Sequence, residues 1–105
     1  PTHQPLCRSY STIADGQGAT TPGALTFPIN RDLLAGVTLA SDTEIVAAMR
    51  FLFERVKLVA EPSGAIALAA LLSRRLKFTG ARVGVVISGG NVDATRFAEL
   101  LARER

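Results

Sequence analysis

The sequence is short of cysteine, aromatic residues and long apolar runs, and each shortage excludes something. Cys7 is the only cysteine, so no intramolecular disulfide is possible, and a cytoplasmic setting fits. Together with His3 it falls short of the ligand set of a tetrahedral metal site, so no metal is expected. No apolar run approaches the roughly 20 residues needed to cross a bilayer. Pro1 to Ser11 has neither the basic start nor the apolar stretch of a secretory leader. A soluble protein with no membrane partner is the expectation. Tryptophan is absent, and Tyr10 and five phenylalanines are the only aromatics. The net charge is +3, but the basic residues (among them Arg31, Arg50, Arg55, Arg82 and Arg96) are scattered beside acids or at helix ends. A nucleic-acid reader would cluster them on one face with aromatics between them, so no nucleic acid is expected.

What remains is a folding composition, 48% hydrophobic and 20% charged, in 105 residues. That length suffices for one small core. Residues 1–22 are rich in Pro, Gly, Ser and Thr and read as an irregular segment. So long a loop is unusual in a compact domain and suggests a chain that starts mid-domain. Residues 23–105 carry the elements. Leu25 to Leu34 reads as one or two helical turns interrupted at Pro28, and Val37 to Ala40 as a brief strand. Ser41 followed by Glu44 is a capping box that opens a helix over about 42–57. Ile45, Met49, Leu52, Phe53 and Val56 recur along it at helical spacing.

Pro62 suits the first turn of a second helix, about 63–75, whose Ala65 to Leu72 stretch is apolar all round and therefore buried on most faces. Val83-Gly84-Val85-Val86-Ile87 has no polar alternation, the signature of a parallel strand over 82–87 covered on both faces. Asp93 can cap a last amphipathic helix, about 93–104, carrying Phe97, Leu100 and Leu101. The order predicts an α/β fold: part of a three-layer α/β domain with short parallel strands.

Three motifs carry chemistry, each with a plain structural alternative. Ser88-Gly89-Gly90-Asn91 follows the apolar strand, where open α/β sheets bind ligands. Its glycines allow positive φ and close backbone approach, though a simple tight turn needs the same residues. Glu61-Pro62-Ser63-Gly64 puts an acid at a helix start, either as a favourable charge there or as a half-buried carboxylate beside a ligand. Thr12-Ile13-Ala14-Asp15-Gly16 signals a turn through Asp-Gly.

In this order and spacing the motifs resemble the C-terminal part of the catalytic domain of serine/threonine dehydratases and serine racemases. Leu25-Thr26-Phe27-Pro28-Ile29, Arg31-Asp32-Leu33, Phe53-Glu54-Arg55 and Lys57-Leu58-Val59 extend the likeness, which runs from about Thr12 to Leu101. The resemblance implies a pyridoxal-phosphate enzyme of the tryptophan-synthase-β-like fold acting on a small amino acid. It implies that Ser88 hydrogen-bonds the pyridine nitrogen of pyridoxal 5'-phosphate. Gly16 and Glu61 would belong to the wall around the ring, with Gly89, Gly90 and Asn91 shaping the turn. A serine at the ring nitrogen, unlike an aspartate, does not keep it protonated, which suits prompt loss of the hydroxyl of serine or threonine.

The departures are as informative. The family's Schiff-base lysine lies in a Ser/Asn-x-Lys-x-Arg-Gly pattern, and neither Lys57 nor Lys77 has that context. No glycine cluster before Ser88 resembles the family's phosphate cradle. No catalytic residue is therefore assigned here, and the 105 residues alone are expected to be inactive. The chain reads as about the last third of a catalytic domain, expected to oligomerise or to associate with a complementary N-terminal part. Three readings stay open: a dehydratase or related racemase, a non-catalytic assembly module of the same fold, and a generic phosphate- or nucleotide-binding α/β domain. The last lacks an early glycine-rich turn.

Overall fold

A computed structural model describes residues 11–103, and four α-helices follow one another along them. The expectations for Pro1 to Tyr10, including His3 and Cys7, lie outside the described residues. Pro28 falls in the first turn of α1 (Thr26–Leu33), where its missing N–H has no intrahelical partner to lose. The helix therefore runs through the proline expected to interrupt it.

The Ser41 capping box opens α2 (Asp42–Phe51) as expected: Glu44 N donates to Ser41 Oγ at 3.1 Å, and Ser41 N donates to Glu44 Oε1 at 2.8 Å. That backbone donor, with the Arg75 guanidinium 3.0 Å away, holds the Glu44 carboxyl below its ordinary range. Beyond Phe51 the helix widens into one π-helical turn over Leu52–Val56 and stops at Lys57, which takes a left-handed φ of 66°. The expected helix over 42–57 is thus continuous, with a final turn wider than an α-turn.

Glu61 precedes α3 (Pro62–Leu72) in extended conformation, and its side chain makes no capping hydrogen bond. Pro62 occupies the first helical position, as the sequence suggested. The helix ends three residues sooner than expected because Arg74 turns to a φ of 65°, which no helix continues. In α4 (Ala94–Arg103), Asp93 Oδ1 caps the first turn by accepting from Arg96 N at 2.7 Å.

The core forms where α2, α3 and α4 meet. Ile45, Val46, Ala48 and Met49 of α2 pack with Ala65, Leu68 and Ala69 of α3, and Phe97 and Leu100 enter from α4. The alanines of α3 let α2 approach closely, which explains why a helix apolar all round sits so deep. Phe53 meets Phe97 edge to face, with ring centres 5.3 Å apart, and the Arg50 guanidinium donates to the Leu101 carbonyl.

The two predicted strands are not formed among the described residues. Residues 37–40 and 82–87 carry no ladder hydrogen bonds there. An apolar run predisposes a segment to extend, but a strand exists only when a neighbour exchanges N–H and C=O groups with it. Val37 and Val86 accordingly stay 84% and 76% exposed. The chain forms a slab 19 Å thick in its shortest direction, with a radius of gyration of 14.9 Å. A compact domain of this length has a radius of about 13 Å. No helix of the described residues is long and apolar enough to cross a membrane.

Candidate functional site

Two segments far apart in sequence converge on the start of α3. The first is the turn after the extended run. Glu61 N donates to the Gly89 carbonyl at 3.1 Å, which seats Ser88–Asn91 directly on the helix entrance. The backbones approach so closely that a Cβ on Gly64 would stand 2.8 Å from Gly89 N and nearer still to its carbonyl oxygen. A Cβ on Gly90 would stand 2.6 Å from the Val59 carbonyl. Gly80 alone among the described glycines has positive φ, so the glycine pair serves close approach and not a left-handed turn. The Glu61 carboxylate lies where a side chain on Gly89 would begin.

The second segment is Thr12 to Gly16. Thr12 Oγ1 donates to Asp42 Oδ1 at 2.8 Å, and Ile13 N reaches the same oxygen at 3.3 Å. Ile13 and Ala14 are buried behind this anchor, and the chain then makes a short 3-10 turn over Asp15–Gln17. At its centre Gly16 N donates to Ser63 Oγ at 2.8 Å. The Asp-Gly signal is therefore a turn, as expected, but one fastened to two helix starts. Sequence reasoning missed both fasteners. Ser63 stood out as part of the Glu61-Pro62-Ser63-Gly64 motif and Asp42 as a residue at a helix start, but neither had a partner assigned, because those partners lie 47 and 30 positions away.

Ser88 is exposed, and its hydroxyl has no hydrogen-bond partner among the described residues. It lines a cavity of about 520 Å³ between α3 and residues 83–88, together with Gln17, Thr38 and Ser63. The other walls are apolar, with Ile66, Leu71, Phe78 and Val85 among them. Glu61 and Asn91 open instead on a smaller cavity of about 190 Å³, beside Asp15, Asp93 and Arg96. Ser63 borders both. Ser88 and Gln17 thus line one space and Glu61 and Asn91 the other, while Gly16, Gly89 and Gly90 line neither. No group of three or more potential metal-binding side chains occurs among the described residues.

The larger cavity has the size of small-molecule sites, about 300–1,000 Å³. Apolar walls with the unpartnered hydroxyls of Ser88 and Thr38 suit a flat heteroaromatic ring whose nitrogen takes a hydrogen bond. No lysine or arginine lines it, so these residues fit the ring of such a group and not a phosphate or a covalent anchor.

The family model "Pyridoxal-phosphate dependent enzyme" matches residues 2–89. L-threo-3-hydroxyaspartate ammonia-lyase of Pseudomonas is 45% identical over 91 residues, covering 87% of this chain and 28% of that protein. L-threonine ammonia-lyase of Geobacter sulfurreducens is 44% identical over 92 residues, 88% of this chain and 23% of that one. Maize serine racemase superposes with a TM-score of 0.77 at 42% identity, covering 90% of this chain and 30% of the solved one. The chain belongs to the family of pyridoxal-phosphate-dependent enzymes. It spans less than a third of the length of these relatives. The likeness supports the tryptophan-synthase-β-like fold expected from the motifs.

Proposed function

We propose that this chain forms the non-covalent side of the cofactor pocket in an enzyme that removes the β-hydroxyl of L-threonine or L-serine and releases ammonia. One observation carries this reading: the Gly16 turn, the start of α3 and the Ser88 turn meet through the Gly16–Ser63 and Glu61–Gly89 hydrogen bonds. Ser88 Oγ would hydrogen-bond the ring nitrogen, Gly16 and Glu61 would flank the ring, and Gly89, Gly90 and Asn91 would set the turn's shape. When bound, pyridoxal phosphate supplies an electron-withdrawing ring that acidifies the substrate α-carbon. The Ser88 hydroxyl, being neutral, orients the ring nitrogen without stabilising a proton on it. The names of two relatives, ammonia-lyases for threonine and for hydroxyaspartate, support a β-hydroxy amino acid as substrate.

Racemisation of serine is the second reading, favoured by the likeness to maize serine racemase. Incubating the full-length protein with L-threonine and L-serine separates the two. Formation of 2-oxobutanoate and pyruvate supports the lyase, D-serine without pyruvate supports the racemase, and no product in a cofactor-loaded protein leaves an assembly module. The 105 residues by themselves hold no lysine in the family's Schiff-base context and should turn over neither amino acid. Because the exposed run around Val83 and Val86 has no ladder partner among the described residues, we also propose association with a complementary piece or a second copy.

Ser88→Ala tests the site directly. In the full-length holoenzyme it should shift the cofactor absorption band to shorter wavelength and slow turnover. An unchanged spectrum and rate would refute the role given to Ser88.

A further inference from the structure

Ser63 occupies the second position of α3, where a backbone N–H has no partner within the helix and a side-chain oxygen is free to look outward. Its Oγ accepts from Gly16 N at 2.8 Å. Among the described residues this is the only hydrogen bond that ties the Asp15–Gln17 turn to α3. The other fastener of the strap, Asp42, acts at Thr12 and Ile13, before the turn begins. The fit is tight as well as bonded. A Cβ on Gly16 would lie 2.9 Å from Ser63 Oγ and 3.1 Å from Ser63 Cβ. The hydroxyl proton of Ser63 meets no acceptor among the described residues, and the residue borders both cavities.

We propose that Ser63 is the positioning residue of the ring wall: its hydroxyl sets how far the Gly16 backbone stands from the cavity that Ser88 closes. The assignment rests on the ring lying beside Gly16, as proposed above. Ser63 contributes nothing to the buried core, so its hydroxyl acts on geometry more than on folding. The Gly16–Ser63 bond is solvent-exposed, which makes its loss a local event.

The test uses the full-length protein, with and without pyridoxal phosphate. In the cofactor-free protein, Ser63→Ala should speed hydrogen exchange at the Gly16 amide and leave the amides of α2 protected. In the holoenzyme it should alter the cofactor absorption band and lower kcat by up to about 100-fold, what a misplacement of about 1 Å costs. KM should change less. Ser63→Thr keeps Oγ, and its added methyl has cavity on either side, so it should restore the band and most of kcat. Gly16→Ala should cost less on the Ser63→Ala background than alone, because the two residues share one contact. Unchanged exchange and spectrum in Ser63→Ala, or equal damage in Ser63→Thr, overturns the role of Ser63. A wild-type protein that gains no absorption band with pyridoxal phosphate overturns the pocket itself, and this role with it.

Discussion

Gly64→Ala should unseat the Ser88–Asn91 turn from α3 and cost about 1–3 kcal/mol, the usual penalty of overpacking. Alanine is the better helix former by about 1 kcal/mol, so propensity alone predicts the opposite sign. Sterics win here because the obstacle is backbone. The new methyl would sit 2.8 Å from Gly89 N, 3.1 Å from Gly89 C, and closer still to the Gly89 oxygen. No rotamer relieves that overlap, so either α3 or the turn must move, and the 3.1 Å bond from Glu61 N to the Gly89 carbonyl goes with it. Chemical denaturation of the full-length protein measures the loss, and the cofactor absorption band reports the displaced turn. Gly90→Ala makes a weaker companion, since its Cβ would meet a single carbonyl, that of Val59, at 2.6 Å. A denaturation midpoint and absorption band left unchanged in Gly64→Ala would show that the close approach does not exist.

Leu100→Ala should destabilise far more than the neighbouring Leu101→Ala in α4, at about 2–5 kcal/mol. Leu100 is fully buried, whereas its helix neighbour Leu101 is only half-buried. It enters the core from an amphipathic helix whose buried residues among those described are Phe97 and Leu100, so α4 has little else to hold it down. The Phe53–Phe97 contact and the Arg50–Leu101 bond also hold α4, but neither replaces a buried leucine. Against a typical domain stability of about 5–15 kcal/mol, such a loss is large. Leu101→Ala is the comparison, expected to cost clearly less when both are unfolded by urea. Equal costs for the two would mean that α4 docks by a different face.

The motifs that define the family were legible because they are short and local. Ser41 with Glu44, Pro62 in a first turn and Asp93 before a helix each act within four residues, and each does in the structure what its type dictates. The glycine pair was legible as a close approach but not as to what approaches it. Positive φ was expected beside it and is not found there, while Gly64 packs on Gly89. The strands at 37–40 and 82–87 mark the opposite limit. Their residues favour extension, yet among the described residues no neighbour supplies the ladder that would make them strands.

Composition, caps and motif order by themselves determined that this chain folds, where its helices start and which cofactor its family uses. The tertiary structure alone decided which residues meet. Asp42 holds Thr12, Ser63 holds Gly16, and Gly64 receives Gly89, across gaps that no periodicity spans. The reason is physical. A helix start is fixed by hydrogen bonds a few residues long, which each side chain announces through its own chemistry. A wall of a binding pocket is fixed by how buried faces pack, so its members become neighbours only once α2 and α3 have closed on their shared core.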